Sequence, residues 1–142
     1  MAVYFFYEDV NFKLKQKQKI TKWLSQIAKE HNKKISVLTY IFCSDAFLLD
    51  LNVTFLKHNT LTDIITFPYC SLTDAFVSGD IYISIDRVGE NAKKFDTPPE
   101  NELHRVMAHG LLHLLGYTDK TKKDKILMRT QEDYCLELRL RV

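Results

Sequence analysis

Two histidines stand four positions apart in the segment HGLLHLLGYTD, residues 109–119. On a helix, side chains with this spacing lie one turn apart with Cβ atoms about 5–6 Å from each other, so His109 and His113 can bind the same metal ion. Gly116 suits the left-handed residue that ends a helix, and Asp119 can then bring a carboxylate oxygen back to the ion. The spacing predicts a metal site formed by His109, His113 and Asp119.

The alternative for any HxxxH pair is two helical histidines that only pack or meet solvent. Here the spacing, the glycine, the following carboxylate and a helix start upstream coincide, which favours ligands. His104 fails the same test, because five residues of helix turn it away from His109, and it is interpreted as a solvated or packing histidine. Imidazole and carboxylate ligands predict one divalent ion, which we expect to be zinc.

The segment also matches part of the metzincin pattern HExxHxxGxxH. It keeps the first two ligands and the glycine, but Gly110 replaces the glutamate that acts as general base in HExxH peptidases. Asp119 occupies the position of the third histidine. A zincin-like peptidase or amidohydrolase therefore remains an alternative that lacks its base.

The composition is that of a globular protein, with 142 residues, 46% hydrophobic residues and a net charge of +2. This length predicts one domain, residues 1–142, and the mild charge permits an anionic partner without requiring one. Cys43, Cys70 and Cys135 form no CxxC pair and are interpreted as free thiols. Since the first residues do not resemble a signal peptide and no apolar run could span a bilayer, we expect a cytoplasmic protein without a membrane contact.

The hydrophobic periodicity predicts an α+β domain with a small mixed sheet packed with helices. Strands are expected at residues 2–7, 35–43, 63–67 and 80–85, and helices at 12–31, 45–51, 86–95, 97–115 and 122–140. Residues 56–61 are expected to form a loop. Thr97 and Glu100 have capping-box spacing, with Pro98 at the first helical position.

Several motifs in order resemble the YbeY family of metal-dependent endoribonucleases. HGLLHLLGYTD is similar to the family signature HGxLHLxGYDH, LTDIITFP (residues 61–68) to TDVLSFP, and SGDIYIS (residues 78–84) to LGDIxIS, with Leu51-Asn52 at the family's distance ahead. The resemblance implies a zincin-like fold, single-strand-specific RNA cleavage, and a role in ribosomal RNA maturation and ribosome quality control. The expected partners are therefore ribosomal RNA and ribosome-associated proteins, and we expect the protein to be a monomer.

The resemblance also marks positions where this chain differs. Asp119 stands in place of the family's third histidine and Thr118 in place of the preceding aspartate. Leu56 falls where the family has an arginine important for activity, so Lys57 and His58 become the candidates for that role. Besides the peptidase, a second alternative is a ribosome-associated binding factor with a structural metal.

Other polar residues have two interpretations. Asp63 and Asp80 could orient metal-bound histidines or face RNA, or they could belong to ordinary turns and strand ends. Asp80 and Asp86 are the rival third ligands. Lysines that could contact RNA phosphates follow the ligand segment at positions 120, 122, 123 and 125.

Overall fold

The computed structural model describes residues 1–57 and 61–142. The strands are β1 (Ala2–Glu8), β2 (Lys34–Cys43), β3 (Ile64–Pro68) and β4 (Phe76–Ser84). The helices are α1 (Lys17–Glu30), α2 (Asp45–Leu51), α3 (Ile85–Lys94), α4 (Pro99–Leu114) and α5 (Lys122–Leu138). A π-helical turn, Asn52–Leu56, follows α2, and a 3₁₀ turn, Arg139–Arg141, follows α5. The predicted α+β class and order of elements are confirmed.

The four strands form one mixed sheet in the order β1-β2-β4-β3. β1 and β4 run parallel to β2, and β3 pairs antiparallel with β4. Helix α4 packs on β3 and β4 and also contacts α3 and α5. Its apolar side and the inner face of the sheet form the main core, whose largest fully buried side chains include Trp23, Tyr40, Phe42, Met107, Leu111 and Leu112. The ligand segment thus lies on a helix held on both sides.

A second, smaller core lies on the other face of the sheet. Cys43, Leu48 and Ile65 are buried there, with Phe47 and Tyr82 packed against them. Ser44 caps α2, because its side chain accepts a hydrogen bond from the Phe47 amide at 3.1 Å. This packing fixes α2 and the turn after it beside β3.

Helix α1 begins five residues later than the predicted start at residue 12. Gln16 has a left-handed backbone conformation, with φ of 59°. Such a residue interrupts a right-handed helix, so residues 12–16 cannot continue α1. The Leu14 amide instead donates to the Tyr7 hydroxyl at 3.0 Å, so this stretch is tied to β1. Apolar spacing alone does not report such a break.

The capping box predicted at Thr97 is wrong. Helix α4 begins at Pro99, and Pro98 precedes it in an extended conformation with ψ of 139° and no side-chain cap. A residue before proline is driven out of the helical region by contact with the proline ring, so Pro98 cannot be the first helical residue. A capping box is found instead at α5, where Thr121 and Asp124 cap each other's backbone amides.

The sequence predicts no segment that spans a membrane. Among residues 1–57 and 61–142, no helix combines the length and the hydropathy needed to cross a bilayer.

Candidate metal centre

His109 and His113, both on α4, face one another near the C-terminal end of this helix. Their Nε2 atoms lie 2.9 Å apart, and Asp119 Oδ2 lies 3.4 Å from each of them. One ligand atom from each of the three residues lies within 4.8 Å of the others. The structure therefore brings His109, His113 and Asp119 together, as the spacing predicts.

The return of the chain to the histidines depends on the end of α4. Gly116 has φ of 112°, a conformation that residues with a Cβ atom adopt only at a cost. The Tyr117 amide donates to the Leu112 carbonyl and the Gly116 amide to the His113 carbonyl, both at 3.0 Å, which is a Schellman motif. The chain then reverses and carries Asp119 to the histidines.

Each histidine ring is oriented through its Nδ1 atom. His113 Nδ1–H donates to the Tyr117 carbonyl at 2.9 Å, and His109 Nδ1–H donates to Glu132 Oε2 at 2.7 Å. With hydrogen on Nδ1, a neutral ring carries its lone pair on Nε2. Two lone pairs and a carboxylate oxygen then converge on one point. The donor set fits a divalent cation such as zinc, which would be held by these three atoms.

Glu132 connects the candidate ligand His109 to two arginines. Its Oε1 atom lies 3.0 Å from Arg105 Nη1 and 3.7 Å from Arg129 Nη1. Arg105 also donates to Asp133 at 2.7 Å. Glu132 is buried, and a buried carboxylate needs such partners to remain charged. The network fixes the ring of His109 and supplies negative charge behind it.

A similar support lies behind His113. The hydroxyl of Tyr117 donates to His31 Nε2 at 2.9 Å, because Nδ1–H of that ring is used to donate to the Ile27 carbonyl at 2.8 Å. Helix α1 thereby anchors the residue whose carbonyl orients His113. The ring of His109 is thus held directly by a residue 23 positions away, and that of His113 through Tyr117, which His31 anchors from 86 positions away.

The centre opens into a cleft of about 760 Å³ between α4, α5 and β3. Asp63 and Glu102 line it together with the centre. Burial raises the pKa of Asp63, although the positive charge of protonated His109 acts in the opposite direction. Burial and the nearby charge of Asp63 also raise the pKa of Glu102. The cleft thus holds carboxyl groups that can take up a proton more easily than a solvated one.

Burial lowers the pKa of His109, but its hydrogen bond to Glu132 and the charges of Glu132, Asp119 and Asp63 outweigh this effect and raise it. A site that stabilises the imidazolium favours positive charge. A divalent cation would balance the negative charge of the same carboxylates.

The position of the peptidase general base is closed. A Cβ atom on Gly110 would lie 2.8 Å from Ile81 Cγ2 and 3.0 Å from Ile64 Cδ1. This residue faces the sheet, so a glutamate there would enter the core. The glycine at position 110 therefore allows α4 to pack closely on β3 and β4.

The other candidate residues lie in different places. Leu56 lines the cleft, whereas Lys57 is not among the described residues that line it and ends the π turn with φ of 56°. His58 lies outside the described residues. His104 is buried against Trp23, with ring centroids 5.7 Å apart, and its Nδ1 accepts from Arg139 at 2.7 Å. It is a packing histidine.

The two rival ligands have other partners. Asp80 accepts from the Tyr69 hydroxyl at 2.8 Å, and Asp86 accepts from the Asp45 amide at 2.8 Å. Neither lines the cleft in the described part of the chain. Asp63, by contrast, faces the centre.

Sequence reasoning missed Glu132 and Arg105. The signal for Glu132 is its place in α5, where it shares the buried side with Met128, Cys135 and Leu138. A charged residue within an apolar stripe is informative, because its burial requires a partner. Its partner cannot be read from spacing, since His109 lies on another helix.

The fold and the site define an α+β protein with a His–His–Asp cluster in an acidic cleft, and comparisons agree on its family. A family model described as Endoribonuclease YbeY matches residues 5–139. An Endoribonuclease YbeY of Cytophaga hutchinsonii is 50% identical over 138 residues, which are 97% of this chain and 96% of the relative. That of Flavobacterium psychrophilum is 47% identical over 130 residues, 92% and 91% of the two chains.

Solved structures include a similar chain. The solution structure of a Thermotoga maritima protein has a TM-score of 0.66 and 26% identity, and the match covers 95% of this chain and 88% of that one. The chain belongs to the Endoribonuclease YbeY family.

Proposed function

We propose that this protein is a metal-dependent endoribonuclease that cleaves single-stranded segments of ribosomal RNA during ribosome maturation and quality control. The observation that carries the proposal is the convergence of His109, His113 and Asp119 within 4.8 Å in a chain whose curated relatives are named endoribonucleases. Residues 1–142 act as one domain, as a monomer. The free cysteines agree with a cytoplasmic location, where ribosome-associated proteins would be its partners.

The residues of the cleft have different roles. His109, His113 and Asp119 would hold one divalent ion, zinc in our proposal. Such an ion supplies Lewis-acid chemistry toward a phosphoryl oxygen and lowers the pKa of water. Glu132 and the Tyr117 carbonyl keep the two rings in the tautomer that this requires. Asp63, whose pKa is raised by burial, is a cleft carboxyl group that could exchange a proton with the substrate.

Two observations weigh against the alternatives. A zincin-like peptidase needs a carboxylate at position 110, and Gly110 packs against Ile81 instead. A purely structural metal would be enclosed by four protein ligands. Within the described residues, the cluster contains three potential ligands and faces an open cleft.

The experiment compares substrates and one inactive variant. Protein reconstituted with zinc or manganese is incubated with an end-labelled single-stranded RNA, the same RNA in a duplex, and casein. We expect internal cleavage of the single strand only, abolished by the double substitution His109→Ala/His113→Ala and unchanged by Lys22→Gln. Absence of cleavage with both zinc and manganese, or equal cleavage by the double variant, would contradict the proposal.

A further inference from the structure

The cleft presents a charge problem for an RNA substrate. Its lining includes the carboxylates of Asp63, Glu102, Asp119 and Glu132, against the guanidinium groups of two arginines. A single bound ion offsets only part of this negative charge. A phosphodiester that enters the cleft therefore needs further cations nearby.

Only one of the two arginines is available to a substrate. The guanidinium of Arg105 is paired with Glu132 at 3.0 Å and Asp133 at 2.7 Å, and its side chain is 17% exposed. The side chain of Arg129 is 61% exposed and lies 3.7 Å from Glu132 Oε1, an oxygen already bonded to Arg105. Arg129 therefore keeps most of its N–H donors free for an anion.

Helical spacing extends this positive charge. Lys125 and Lys122 precede Arg129 by four and seven residues, so the three side chains lie on one side of α5. All three are exposed, and no ion pair joins either lysine to another residue in the described part of the chain. The three residues, called the α5 strip below, cover about 10 Å at 1.5 Å per residue.

The start of the strip lies close in sequence to the metal centre. Lys122 begins α5 immediately after the loop that carries Asp119, and the Thr118 hydroxyl fixes this loop by donating to Asp124 at 2.8 Å. Arg129, at the other end, lines the cleft. Lys125 lies between these two residues on the same side of α5, so the strip joins the cleft at Arg129 to the segment that follows Asp119.

Local energetics indicate that these lysines serve a ligand rather than the helix. The N-terminal end of a helix carries partial positive charge, which disfavours cations in the first turn. Lys122, Lys123 and Lys125 nevertheless lie there, with Asp124 as the one acidic residue of that turn. An anion bound at this end would remove the repulsion.

We propose that Lys122, Lys125 and Arg129 bind the phosphates of single-stranded RNA and lead the strand past His109, His113 and Asp119. The proposal rests on the proposed function for the identity of the substrate. Phosphate contacts of this kind give affinity and position without reading the base sequence. Arg129, the member of the strip that lines the cleft, offers a planar fork that a lysine cannot reproduce.

The test measures binding separately from cleavage. Binding of a fluorescent single-stranded RNA to zinc-reconstituted protein is followed by anisotropy at several salt concentrations, on ice and before cleavage products appear. For single strands, the slope of log K against log salt is about 0.7 for each neutralised phosphate. The triple variant Lys122→Gln/Lys125→Gln/Arg129→Gln should bind at least tenfold more weakly, with a slope smaller by about 2.

The control removes the same charge elsewhere. Lys15, Lys22 and Lys29 are exposed and do not line the cleft, so the variant Lys15→Gln/Lys22→Gln/Lys29→Gln should keep the parent slope. Both triple variants should retain the parent circular dichroism spectrum and thermal midpoint. In cleavage assays, the α5 variant should raise KM more than it lowers kcat. The same triple variant with Arg129→Lys in place of Arg129→Gln should recover part of the lost affinity.

The outcomes separate the two proposals. If the parent binds and cleaves RNA but the α5 variant keeps its affinity and salt slope, the strip is wrong and the endoribonuclease function stands. If the parent binds RNA with the expected variant effects but never cleaves it, the function is wrong and the strip stands. A parent without RNA affinity would overturn both.

Discussion

Glu132 Oε2 lies 2.7 Å from Nδ1 of His109, although the two residues are 23 positions apart and on different helices. The carboxylate is buried and is also bonded to Arg105 at 3.0 Å. It therefore holds the imidazole in the tautomer whose Nε2 atom faces Asp119. Carboxylates in this position also increase the basicity of the ligand.

Replacing Glu132 by glutamine keeps the shape of the side chain but removes its charge. We expect the affinity for zinc to fall about 10- to 100-fold, the usual effect of losing a group that supports a metal-bound histidine. Competition with a chromophoric chelator measures this change. Glu137→Gln, on the exposed side of the same helix, is the control and should bind as the parent does. Equal affinity of both variants would show that Glu132 serves only the packing of Arg105.

Removing either histidine should abolish stoichiometric metal binding, because each removes one of three ligand atoms. His109→Ala and His113→Ala are to be compared with His104→Ala by elemental analysis after dialysis. His104 packs on Trp23, so its variant should retain metal as long as it stays folded. Full occupancy in either of the first two variants would exclude the proposed site.

The packing of Gly110 predicts a difference between two glycines. Gly110→Ala would place a Cβ atom 2.8 Å from Ile81 Cγ2, whereas the same change at Gly89 meets nothing within 4 Å. Overpacking of a core costs about 1–3 kcal/mol, while alanine favours a helix over glycine by about 0.5–1 kcal/mol. Urea denaturation should therefore show a loss of stability for Gly110→Ala and no loss for Gly89→Ala. Equal effects would mean that α4 can move away from the sheet.

The order of elements and the convergence of His109, His113 and Asp119 could be predicted because both depend on local rules. Among the described residues, hydrophobic periodicity located the five α-helices and the four strands, although β4 begins four residues before its predicted start. The HxxxHxxGxxD spacing combined a helix face with a glycine turn. The errors have physical causes. The Leu14 amide donates to the Tyr7 hydroxyl instead of entering a helix, and Gln16 is left-handed, while the late start of α4 depends on adjacent prolines.

The supporting residues lay beyond sequence reasoning for a different reason. Glu132 reaches His109 across two helices, and His31 reaches Tyr117 over 86 positions. Such pairs form only when tertiary packing brings the helices together. Lys57 illustrates the converse case, because its nearness in sequence to Leu56 does not bring it to the cleft wall.

His104 predicts how stability depends on pH. Burial, together with the positive charge of Arg139, lowers its pKa from 6.5 to about 4. Between these values the unfolded chain binds a proton that the folded chain does not, so stability is fully present above pH 6.5 and falls as the pH decreases toward 4. From pH 7 to pH 5 this residue should account for a loss of about 2 kcal/mol.

Urea denaturation of metal-free protein at pH 7 and pH 5 checks this expectation. His104→Leu should lose less stability than the parent over the same interval, and comparing the two changes cancels the titration of all other groups. Parallel losses in the two proteins would show that His104 is protonated in the folded state.

Asp119 occupies the position where the resemblance expects a histidine, and its Oδ2 atom lies 3.4 Å from both Nε2 atoms. Asp119→His should retain zinc, because imidazole is an equally good ligand. Asp119→Ala should weaken binding beyond the about 10- to 100-fold loss expected when only a supporting residue is removed. Chelator competition on both variants and on Glu132→Gln ranks the three effects. If Asp119→Ala binds zinc as tightly as the parent, the third ligand lies elsewhere, and Asp63, a carboxylate that lines the same cleft and interacts with the charge of His109, becomes the residue to replace.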